Sequence, residues 1–126
     1  MPQQQHATQA YQTVAKRIAT PRDLEANLLS KSAGNMQRIR ENWTLADAEL
    51  HHALRFNRKL WNVFLKSATR DDNPLPKAVR QNIANLGIFV LKHTIKVEAK
   101  PEPARLDVLI NINREIAAGL RSETAL

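Results

Sequence analysis

A chain of 126 residues with three glycines, no cysteine and a formal net charge of +7 forms one domain, long enough to bury a real core and without disulfides or thiolate metal sites. So few glycines in a composition rich in Leu, Ala, Arg, Lys and Asn exclude a sandwich or barrel and predict an all-α, single-domain bundle of about five helices. The charge is uneven: residues 1–70 carry eleven Lys and Arg against five Asp and Glu, and residues 71–126 eight against seven, a field that favours RNA, an anionic surface or an acidic protein partner without choosing among them.

The first residues, Met1-Pro2-Gln3-Gln4-Gln5, read as a frayed start with no apolar h-region, and no apolar run approaches the ~18 residues of a membrane span. Neither a signal peptide nor a membrane helix is expected, and the location that follows is cytoplasmic. Over residues 6–19, Ala7, Ala10, Tyr11, Val14 and Ile18 recur at three and four, an amphipathic helix with a narrow seam. It could lie on the bundle, swap between copies, or order on a partner.

Thr20-Pro21-Arg22-Asp23 is a start signal, with Thr20 as N-cap, Pro21 at the first helical position and Asp23 near the positive end of the helix dipole. The helix should run to about Glu41 with Leu24, Leu28, Leu29, Met36 and Ile39 inward, and Gly34 a weak point of up to ~1 kcal/mol against alanine. Thr44-Leu45-Ala46-Asp47 then opens a long central helix near residues 45–70.

Within it the stretch 50–70 organises the chain. Leu50, Ala53, Leu54, Phe56, Leu60, Trp61, Val63, Phe64, Leu65 and Ala68 cover an arc of roughly 200°, so neighbours should pack it on two sides. Arg55, Lys59, Asn62, Lys66 and Arg70 form a basic stripe on the remaining strip, with Arg58 at its margin and no acidic residue between Leu50 and Arg70. Asn57 lies in the apolar arc, where an amide without partners costs about 1–3 kcal/mol. It is either a device for core specificity or part of a site.

Asp71-Asp72-Asn73-Pro74-Leu75-Pro76 breaks the chain before a helix over about 75–96. Val79, Ile83, Leu86, Val90, Thr94 and Val97 take one side with Ala84, Ile88, Leu91 and Ile95 beside them, so this helix too should be covered on two sides. Gly87 permits close approach of the central helix, and Phe89 stands among Asn85, Lys92 and Lys96 as a contact candidate. After a linker over 98–103, a last helix over 104–121 turns Leu106, Leu109, Ile110, Ile112, Ile116, Ala117 and Leu120 to one face, with Asn113 inside it; residues 122–126 read as frayed.

Catalytic chemistry finds little support. Glu49 and His52 make one Glu-x-x-His unit, whereas a di-iron bundle needs two such units and two further glutamates. His51 and His52 point about 100° apart, and the glycines at 34, 87 and 119 build no phosphate loop. A protein that is not an enzyme, with no cofactor, no metal and no small-molecule substrate, is expected.

The residues Ala10-Tyr11, Thr20-Pro21-Arg22-Asp23-Leu24-Glu25, Phe56-Asn57-Arg58-Lys59-Leu60-Trp61 with Phe64, and the run from Leu75-Pro76 to Val90 with Asn85-Leu86-Gly87 stand in an order that resembles the alphaproteobacterial flagellar biosynthesis regulator family FlaF over about residues 11–121. That resemblance implies a small helical cytoplasmic protein required for making and exporting flagellin, working beside an FlbT-like regulator of flagellin mRNA and without known catalysis. Two readings follow. In one, the bundle binds flagellin in a chaperone-like way, taking up an amphipathic terminal helix and coupling secretion to synthesis. In the other, a basic helix face contacts flagellin mRNA directly. Arg55, Asn57, Arg58, Lys59, Trp61, Lys66, Arg70 and Phe89 are the candidate partner-binding residues. No membrane partner is expected.

Overall fold

The computed structural model describes residues 21–125, which hold four helices: α1 (Pro21–Glu41), α2 (Ala46–Ala68), α3 (Lys77–Ala99) and α4 (Asp107–Ala125). Short 3₁₀ turns, Trp43–Leu45 and Pro103–Leu106, precede α2 and α4. The all-α class is as the sequence predicts. The expected helix over 6–19 and the Thr20 cap lie outside the described residues.

Each boundary has a local cause. At the end of α1 the Arg38 carbonyl accepts both the Asn42 backbone N–H at 3.1 Å and the Asn42 side-chain amide at 2.9 Å, so Asn42 closes the last turn. After α2, Asn73 Nδ2 donates to the Ser67 carbonyl at 2.9 Å while its Oδ1 accepts the Leu75 N–H at 2.9 Å, and Pro76 then sets the entry of α3. Pro101 and Pro103 stop α3 from running on, and α4 begins only after the second of them.

α1 packs between α2 and α4, and α2 between α1 and α3. The buried interior joins Ala26, Leu29, Ala33 and Met36 of α1, Leu54, Trp61 and Phe64 of α2, Ile83, Val90 and Val97 of α3, and Leu109, Ile110 and Leu120 of α4. Antiparallel pairings fix the register. Arg40 is paired with Asp107, whose carboxylate raises the guanidinium's affinity for its proton, and Arg121 reaches Asn27 and Ser30 at 3.1 and 3.0 Å at the other end of the same interface.

The covered arcs are narrower than the sequence suggests. Leu24 (53 % exposed) and Leu28 (42 %) are not inward, because the small side chains of Ala26 and Ala33 with Leu29 define the face that meets the bundle. Val63 of α2 is 67 % exposed, and Ile88 and Ile95 of α3 are 52 and 64 % exposed, so neither helix is fully covered on both flanks among the described residues.

Gly87 behaves as its place in the apolar arc requires. A Cβ there would stand 2.5–2.6 Å from Leu65 Cδ2 and Cγ, closer than any carbon pair tolerates, so the absent side chain is what lets α2 and α3 approach. Gly34 is the opposite case, with nothing within 4 Å of its would-be Cβ and no positive φ. Gly34→Ala is therefore expected to raise the unfolding free energy by up to about 1 kcal/mol, and Gly87→Ala to lower it by about 1–3 kcal/mol, in denaturant titration. Equal effects of the two would contradict this packing.

Candidate functional site

Two of the candidate residues go to the interior. Asn57 and Trp61 are fully buried, and they meet the second interior amide, Asn113, across the bundle. Asn57 Oδ1 accepts from Ser32 Oγ of α1 at 2.9 Å and from Asn113 Nδ2 of α4 at 2.7 Å. Asn113 Oδ1 accepts the Trp61 indole N–H at 2.9 Å, and Asn113 Nδ2 also reaches the Leu29 carbonyl at 3.4 Å. Three helices are thus tied by one chain of hydrogen bonds, in which Asn57 Nδ2 alone has no partner. Trp61 also sets its ring edge-on to Phe64, 5.5 Å between centroids. Neither Asn57 nor Trp61 presents a surface to a partner in this arrangement.

The cationic candidates stay together outside. Arg55, Lys59, Asn62, Lys66 and Arg70 are all exposed along the back of α2, and Arg58 is half-buried at the margin. Arg70 is paired with Asp72 at 3.1 Å, but Arg55, Arg58, Lys59 and Lys66 have no carboxylate partner among the described residues. Near the start of α2, His51, His52, Arg55 and Arg58 line a hollow with Glu98 of α3 as its one acid.

What lies beside this row could be read only from tertiary structure. Gly87 faces Leu65, and Arg80 Nε donates to the Ala68 carbonyl at 3.0 Å, so α2 and α3 run antiparallel with that flank of α3 toward α2. Continuing around α3 at 100° per residue, the next row is Ala84, Ile88, Leu91 and Ile95, at spacings of four, three and four. The register brings Ile95 level with the turn of Arg55 and Arg58, and Ile88 level with the turn of Asn62 and Leu65. The outer α2/α3 face therefore carries an apolar row on one helix and a cationic row on the other, in which Arg70 alone is paired with a carboxylate among the described residues.

Phe89 is 44 % exposed but belongs to the opposite flank of α3, where it stacks on His93 with centroids 5.5 Å apart. His93 Nε2 in turn lies 2.8 Å from the Arg105 carbonyl, which ties this flank to the turn before α4. Phe89 is accordingly separate from the basic row. On α1, burial pushes the Glu25 carboxyl above its usual range, with Arg22 opposing the shift. No described helix is long and apolar enough to cross a membrane.

The family described as "Flagellar protein FlaF" matches residues 7–120. The chain belongs to the FlaF family. Neither the curated proteins nor the solved structures contain a significant match to it. Within its FlaF block, Asn57 and Trp61 face the core, Phe56 and Leu60 are half-buried, and Lys59 faces solvent, so the block is chiefly a packing device with one cationic edge.

Removing either amide of the interior pair strands the other's groups in a dry site, at about 1–3 kcal/mol per unpaired group. Asn57→Leu and Asn113→Leu should each destabilise the FlaF-family bundle in this range, while the double variant should cost less than the sum, giving a coupling energy of about 0.5–3 kcal/mol in a double-mutant cycle. Strict additivity would show that the amides do not act as a unit.

Proposed function

We propose that this FlaF-family chain serves flagellum biogenesis without catalysis, by holding an amphipathic terminal helix of flagellin before export and promoting flagellin synthesis and secretion together with an FlbT-like partner. The observation that carries the reading is the outer α2/α3 face. Ile88 and Ile95 are more than half exposed, Leu91 lies between them, and Arg55, Arg58, Lys59 and Lys66 beside them lack carboxylate partners among the described residues. An exposed apolar row at i, i+3 and i+7 suits a helix laid in a groove, whose own anchors recur at three and four. The cations alongside suit a helix whose flank carries Asp and Glu, and they would steer encounter more than they add to affinity.

The second reading, direct contact with flagellin mRNA, draws support from the same cations. It leaves the apolar row without a use, since the aromatics that stack on bases are missing from this face: Trp61 is buried and Phe89 lies on the other flank.

Calorimetry with flagellin and with flagellin leader RNA separates the two. Burying an isoleucine is worth about 1.5–3 kcal/mol, so Ile88→Asp with Ile95→Asp should weaken flagellin binding by about a hundredfold or more. Reversing Arg55, Lys59 and Lys66 to Glu should weaken it less and make it less salt-sensitive. If instead RNA is retained with an affinity that falls linearly on a log–log salt plot and collapses on charge reversal, while flagellin is ignored, the mRNA reading replaces this one.

A further inference from the structure

A second exposed apolar row lies on the other side of α2, and the chain itself supplies the segment to cover it. Leu24, Leu28 and Lys31 of α1 stand at i, i+4 and i+7, and so do Phe56, Leu60 and Val63 of α2. The rows meet where Lys31 Nζ lies 5.8 Å from the centre of the Phe56 ring, and the Ser32–Asn57 hydrogen bond sets the antiparallel register. That register brings Val63 level with the turn between Leu24 and Leu28. The outer α1/α2 groove is therefore apolar at the end where α1 begins.

The sequence before Pro21 carries a seam of Ala7, Ala10, Tyr11, Val14 and Ile18, and the FlaF match starts at residue 7, so this segment is part of the family domain. Only Ala19 and Thr20 stand between Ile18 and the first residue of α1. Helices joined by so short a connection become antiparallel neighbours. One flank of α1 is already taken by α4, through Arg121 with Asn27 and Ser30 and through Arg40 with Asp107. The flank left is the one bearing Leu24 and Leu28.

We infer that residues 7–18 dock as a helix in the α1/α2 groove of the same chain, setting Ala10, Tyr11, Val14 and Ile18 against Leu24, Leu28, Leu60 and Val63. At 1.5 Å per residue the segment spans about 18 Å, enough to run from the start of α1 to about the level of Phe56. Its small residues suit a shallow groove. Folding back over a two-residue turn puts Val14 level with the stretch between Leu24 and Leu28, and hence opposite Val63.

The chain has no cysteine, so an engineered pair reads this placement directly. Val14→Cys with Val63→Cys should form an intramolecular disulfide on mild oxidation on the order of tenfold or more faster than Val14→Cys with Gly119→Cys, a control at an exposed position of α4 within about one helical turn of the same level. Equal rates would overturn the docking, and dimeric cross-links from the first pair would overturn it in favour of exchange between copies. Hydrogen exchange on the unmodified full chain is the second reading. The amides of residues 11–18 should exchange on the order of tenfold or more slower than in a free peptide, and Val63→Asp should abolish that protection while core amides of α4 keep theirs. Amides at free-peptide rates in the unmodified chain would also overturn the inference.

Discussion

Much of this bundle depends on where three polar side chains are allowed to be buried. Asn57, Asn113 and Ser32 occupy positions that apolar residues would fill at lower desolvation cost, and they are tolerated because they bond to one another and, through Asn113, to the Trp61 indole. An apolar interface can slide by a turn of helix and still bury its area. A chain of hydrogen bonds from α1 through α2 to α4 cannot, since a slip of one turn would strand several groups at once. The register of three helices is thereby set, and the surface rows inherit their alignment from it. One group stays outside the accounting: Asn57 Nδ2 has no partner, and nothing else in the described structure explains it.

The fourth helix, α3, is attached differently. It meets α2 through the notch at Gly87, through Arg80 on the Ala68 carbonyl, and through its buried Ile83, Val90 and Val97. It shares no hydrogen bond of the interior network. This leaves α2 with two outer grooves of different chemistry. Toward α3 the wall is apolar with cations at its rim that have no carboxylate partner among the described residues; toward α1 it is apolar with Lys31 engaged over Phe56. The first suits a foreign helix with an acidic flank, and the second suits the chain's own Tyr11 and Val14 seam. Assigning each groove one occupant accounts for Leu24, Leu28, Val63, Ile88 and Ile95, the large exposed apolar residues other than Phe89 among the described residues.

Periodicity is enough to locate the elements whose pattern is local. The helix over 45–70 and the cationic row from Arg55 to Arg70 follow from spacing alone, as does the notch at Gly87. Asn57 and Asn113 stood out because an amide in an apolar arc is conspicuous, but their bond joins residues 56 apart in sequence, and no local pattern encodes it. The same limit explains Trp61, whose hydrogen-bond partner arrives from α4. In sequence Leu24, Leu28, Val63 and Ile95 read as inward because a wide apolar arc looks the same whether a neighbour covers one flank or two. Which flank is covered depends on how the other helices are arranged, and that is a tertiary fact. The α2/α3 face went unseen in the sequence for a related reason: its two rows sit on different helices, and only the antiparallel register brings Ile95 beside Arg58.

The central claim is that flagellin is held on the α2/α3 face and nowhere else on the bundle. Methyl-resolved NMR of the full chain during titration with flagellin tests it most directly, because isoleucine, leucine and valine methyls sample both grooves and the core. The account predicts shifts and broadening confined to Ile88, Leu91, Ile95 and Leu65, with Leu24, Leu28 and Val63 unchanged. Perturbation centred on Leu24, Leu28 and Val63, or no perturbation at saturating flagellin, would contradict it.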